Sequence, residues 1–106
     1  VDYGWYDLKN GANLAKVKNE DWLKAYAARK GDIVHVHGTF STIQMSTWDV
    51  LFDMPGWARP YRPMYITSWN GTKSFPLVVD VKGKMVVPDN LADNTVLAFN
   101  GTYPIF

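Results

Sequence analysis

The chain has 106 residues and a mass of 12.0 kDa, enough for one domain, and its eleven Lys and Arg against ten Asp and Glu leave a net charge of +1. Because the two signs are interspersed, no basic face is offered to nucleic acid, and no apolar stretch approaches the roughly 20 residues of a membrane-spanning helix. The absence of cysteine removes disulfides, thiol nucleophiles and thiolate metal sites, whereas five Trp, six Tyr and five Phe exceed what one small core would fully absorb, so some aromatic surface is expected to bind a partner.

In chain order, residues 1–20 show no clear periodicity and read as a connection to a neck that would precede Val1. From Asp21 to Lys30 two patterns compete. Helix formers, Asp21 as an N-cap and Gly31 as a C′ residue favour a helix, while the alternation of Leu23, Ala25 and Ala27 with Lys24 and Tyr26 favours a strand. Strand is the expectation, because the run feeds through Lys30-Gly31 into the β-branched segment Ile33 to Phe40. With Lys30-Gly31 as a two-residue turn, Tyr26 falls opposite His35, Lys24 opposite His37 and Ala27 opposite Val34. Ala25, Ala27, Val34, Val36 and Phe40 then face a core, and Lys24, Tyr26, His35, His37, Trp22 and Thr39 make a mixed aromatic and polar face.

Further strands are expected around Leu51 and Phe52, then over Met64 to Trp69, Phe75 to Val81, Met85 to Val87 and Val96 to Tyr103. Tight turns are expected at Asn70-Gly71, Lys82-Gly83 and Asn100-Gly101. At least seven short strands, with less than about a tenth of the chain helical, predict a single all-β domain over 1–106, a sandwich or small antiparallel barrel.

Catalytic signatures are sparse. No nucleophile-elbow sequence accompanies either histidine, and a paired-carboxylate glycosidase would need two of Asp32, Asp49, Asp53 and Asp80 to converge. His35-Val36-His37 places two imidazoles on one strand face, a spacing that binds Zn²⁺ when a third ligand arrives, but no companion motif supplies one. The expectation is a non-enzymatic protein with no cofactor and no metal. Saccharide recognition suits the composition better, since a pyranose needs a flat apolar face and planar polar groups beside it. Trp48 with Asp49, Trp57 with Arg59, Trp69 with Asn70, and the Tyr26, His35, His37 face all offer that pairing, one of Trp48 and Trp57 being expected in the core. Asp80 is expected on a partly apolar face with Val78, Met85 and Val87. The candidate saccharide-binding residues are His35, His37, Trp48, Asp49, Trp69 and Asp80, and the histidine face serves equally as a subunit interface or a plain solvated surface.

The run Ala-Arg-Lys-Gly-Asp-Ile-Val-His-Val-His-Gly-Thr-Phe (28 to 40) is followed by Leu-Phe-Asp-Met-Pro-Gly-Trp (51 to 57), Tyr-Arg-Pro (61 to 63), Val-Val-Asp-Val-Lys-Gly-Lys-Met-Val-Val (78 to 87) and Phe-Asn-Gly-Thr-Tyr-Pro (99 to 104). In order and spacing these segments resemble the C-terminal head domain of receptor-binding and tail-fibre proteins of phages that infect Gram-positive bacteria, the lactococcal phages above all. Met54-Pro55 stands where that family has Leu-Pro. The resemblance implies a Greek-key β-barrel head, a homotrimer about the fibre axis and adhesion to host cell-wall saccharide. It also implies a place at the phage tail tip, joined to other tail or baseplate proteins through an upstream part, with no membrane insertion. A carbohydrate-binding module of an enzyme and a purely structural trimerising domain are the alternatives.

Overall fold

The computed structural model describes all residues from Val1 to Phe106. Eight strands form one antiparallel sheet curled into a half-barrel, with 54% of the chain in strands and 7% in helix. They are β1 (Asp2–Asp7), β2 (Lys24–Lys30), β3 (Ile33–Ser41), β4 (Asp49–Asp53), β5 (Met64–Trp69), β6 (Ser74–Val79), β7 (Lys84–Val87) and β8 (Val96–Pro104). Short 3₁₀ turns occupy Leu8–Gly11 and Gly56–Ala58. The spatial order is β1-β2-β3-β8-β5-β6-β7-β4. Within it β5, β6 and β7 form a meander and β8 returns beside β5, the arrangement of a Greek key.

Alternation drives the curl. Val34, Val36 and Phe40 of β3, Leu97, Phe99 and Tyr103 of β8, and Ala25 and Ala27 of β2 are all buried, while the intervening side chains face out. Phe40 meets Phe52 and Phe99 edge-on at the centre, the Phe40 and Phe52 rings lying 5.4 Å apart at 90°. Gly38 stands against Ala25 so closely that a Cβ there would lie 2.6 Å from the Ala25 Cα, so the β2–β3 contact tolerates no side chain. Closure of the barrel falls to the segment after β1: Asn13 donates its backbone N–H to Leu51 and its side-chain amide to Val50 along the free edge of β4, each at 2.9 Å. Leu8 and Val17 of this same segment are fully buried, so residues 1–20 contribute both an edge strand and part of the core.

The segment up to Lys30 is strand from Lys24 onward. Its hairpin differs from the expected register: Lys30 pairs with Ile33, so Gly31-Asp32 form the turn, Tyr26 faces His37 and Ala28 faces His35. Gly31 has φ +60 and Asp32 does not share it, the type II′ pattern that favours Gly at the first central position. Because the slip is two residues, both faces keep their expected members. Asn100-Gly101 is no turn; it lies inside β8, paired with His37 and Val36, and Ile66 packs over Gly101 at 3.1 Å from where a Cβ would stand. The turns near Asn70-Gly71 and Lys82-Gly83 do form, with Gly71 and Gly83 at positive φ. Asp80 sits in the second of them, its Oδ1 accepting the backbone N–H groups of Lys82 and Lys84 at 2.9 Å, so its side chain fastens the turn instead of joining the face of Val78.

Tyr103 is 2% exposed and donates its hydroxyl to the Ala58 carbonyl at 2.7 Å, tying β8 to the second 3₁₀ turn. Burial pushes its phenol well above the ordinary range near pH 10. A raised folded-state value means stability is intact below about pH 10 and is lost as pH rises beyond it, because the unfolded chain ionises there while the folded one does not. Tyr103→Phe should lower stability by about 1–3 kcal/mol at neutral pH by stranding the Ala58 carbonyl. The same variant should lose less stability than the parent between pH 9 and 11. Urea denaturation across that range checks both; an equal alkaline loss in the two proteins would contradict the assignment.

Candidate functional site

The outer face of β2, β3 and β8 carries rows of side chains set by pairing: Tyr26, His37 and Asn100 in one row, Lys24, Thr39 and Ala98 in the next. A register break between Tyr3 and Tyr6 in β1 accompanies the placement of Trp5 over this face. Its indole meets His37 edge-on at 4.8 Å and 79°, and the Tyr26 ring lies 5.6 Å from the same imidazole. An open groove of about 340 Å³ runs over Gly38 and Ala98, bordered by Lys24, Tyr26, His37, Thr39, Phe99 and Asn100. A second hollow of about 260 Å³ adjoins it between Trp5, Tyr26 and His37. The groove opens where Ala98 presents the least bulk on the outer face.

The lining is chemically uncommitted inside the protein. Thr39 donates its hydroxyl to the Trp22 carbonyl at 3.1 Å, but the side chains of Lys24, Tyr26, His37 and Asn100 form no hydrogen bond or ion pair within the chain. An aromatic wall beside unpartnered donors and acceptors suits a ligand with both an apolar face and polar substituents. No carboxylate lines either hollow.

Of the residues expected to bind saccharide, only His37 lies in the groove. His35 shares the face two residues away, half-buried between Ala28 and Thr102. Trp69, 54% exposed, pairs in register with Ala98 on β5 but lines neither hollow. Trp48 and Asp49 stand at the opposite edge of the sheet, at the start of β4. Trp48 holds φ 70, a left-handed conformation that is strained for a bulky side chain, and its N–H donates to Val87 at 2.8 Å. Asp49 accepts the Ser46 N–H at 2.8 Å and pairs with Lys16 at 3.2 Å; these two contacts hold its carboxyl below the usual range. Asp80, in the β6–β7 turn, is far along the strands from the groove. Trp57 is the tryptophan that packs against the core, stacked on Tyr3 at 4.8 Å.

Of the groove residues outside the candidate set, Tyr26 and Thr39 belong to the recognised mixed face, and three others are harder to find from sequence. Trp5 lies in a segment without alternation, Asn100 in a dipeptide that mimics a turn, and Lys24 on a face already recognised as mixed but ranked behind its histidines. No group of three His, Asp or Glu side chains converges as a metal site, so His35 and His37 stand without a third ligand. The sequence matches no protein-family model and no curated protein.

Proposed function

We propose that this domain is the receptor-binding head of a phage tail protein, a homotrimer that adheres to host cell-wall saccharide without catalysing a reaction. The observation that carries the reading is the treatment of its tryptophans: Trp5, Trp22, Trp48 and Trp69 are each more than a third exposed, and one of them walls a groove of unpartnered polar groups. A protein selected only for stability gains nothing from leaving indoles in water; a surface that grips sugar rings does. Shallow open grooves bind weakly one at a time, and repetition around a fibre axis converts weak binding into firm attachment. The resemblance of its segments, in their order, to phage head domains supports the same reading from the sequence.

Solution mass and cell binding test the two parts separately. A mass of about three times 12.0 kDa at micromolar concentration and retention on Gram-positive cell walls are the expected results. A 12.0 kDa species removes the trimer. A trimer that binds no cell wall or isolated wall polysaccharide removes adhesion and leaves a structural fibre domain.

A further inference from the structure

We infer that the groove seats an anionic substituent of its ligand, a carboxylate or a phosphate, against Lys24; the inference rests on the saccharide reading and narrows it to acidic sugars. Lys16, Lys18, Arg29 and Lys84 are each paired with an aspartate; Lys24 is one of seven cations that are not, and the one that lines a hollow. Neighbouring Tyr26, His37 and Asn100 add further donors with no internal partner. The acids closest along the chain do not answer this charge. Asp7, in register with Tyr26, turns its carboxylate to the backbone N–H of Lys9 at 2.9 Å, Glu20 accepts the Ser41 hydroxyl at 3.1 Å, and Asp21 lines neither hollow.

A neutral hexose brings a donor on every hydroxyl and is best met by a site holding carboxylates as well as amides. This lining has a cation, several donors and no carboxylate, so its surplus is matched by a ligand rich in acceptors. A charge-assisted hydrogen bond from an exposed ammonium, discounted for solvent, should favour an acidic sugar over its neutral parent by about fivefold to tenfold. That advantage should shrink in high salt, where the screening length falls from about 10 Å at 0.1 M to about 3 Å at 1 M.

The test is titration of the full chain with glucose, glucuronate, glucose 6-phosphate, acetate and inorganic phosphate, followed through the backbone amide resonances of Lys24, His37 and Asn100. The expected result is tighter binding of one or both acidic sugars than of glucose, abolished by Lys24→Met and by 1 M salt, retained in Lys24→Arg and untouched by Lys82→Met at the far turn. Comparing glucuronate with glucose 6-phosphate identifies which acid the site prefers. Equal affinity for glucose and its acids overturns the Lys24 inference and leaves the saccharide reading standing. Binding of the simple anions with no sugar bound any tighter supports an anion site at Lys24 and overturns the saccharide reading. Silence towards every probe overturns both.

Discussion

Phe40→Ala will lower the unfolding free energy by about 3–5 kcal/mol, a large share of the 5–15 kcal/mol typical of a small domain. Phe40 is fully buried on β3 and packs edge-on against both Phe52 of β4, the far edge strand, and Phe99 of β8, the strand beside β3. Removing the ring withdraws the contact that those two partners share. The paired strands around the void are held by ladder hydrogen bonds and cannot collapse into it, so the cavity term adds to the lost transfer free energy. The melting temperature should fall by roughly 12–20 °C for a domain of this size. Denaturant unfolding with an unchanged slope checks the value, and a loss below 1 kcal/mol would mean that the half-barrel is not organised around this aromatic centre.

Trp5→Ala should do the reverse, leaving stability nearly unchanged while weakening attachment. The indole is 59% exposed and sits on an edge strand, where its main contact is the edge-on meeting with His37. Loss of one stacking platform should reduce saccharide affinity about fivefold per site. Across three engaged sites that factor compounds toward roughly a hundredfold in cell attachment. Trp48→Ala is the control, since Trp48 is equally exposed, at 58%, but lies at the other edge of the sheet. Should Trp48→Ala abolish cell binding while Trp5→Ala leaves it intact, the groove described above is not the binding site.

Strand positions were legible because alternation and β-branching act locally: the expected Met64 to Trp69 run coincides with β5, and Ile33 to Phe40 differs from β3 by one residue. Pairing register was less legible. The Lys30-Gly31 and Gly31-Asp32 turns use the same glycine, and the difference lies in which central position takes positive φ. Asn100-Gly101 carries a hairpin signal as strong as that of Asn70-Gly71, yet it is extended, because Ile66 from β5 needs a residue without a side chain beneath it. That requirement comes from a strand more than 30 residues away in the chain and leaves no local mark. β1 was invisible for a related reason: its first four residues are exposed, so burial imprints no period on them, and Trp5 went unrecognised with the strand that carries it. For the site, chemistry-rich dipeptides such as Trp48-Asp49 drew attention while the groove was assembled from single residues on four strands.

The position of β8 has a consequence for how the domain is made. Among the strands it alone pairs with both β1-β2-β3 and β5-β6-β7-β4, meeting β3 along nine residues on one side and β5 on the other. A nascent chain that has emerged only as far as Asn94 therefore holds two incomplete half-sheets, each with an unpaired central edge. Such edges invite pairing with the same edge of a neighbouring chain on the same messenger. The sheet can therefore be completed only after β8 has been made.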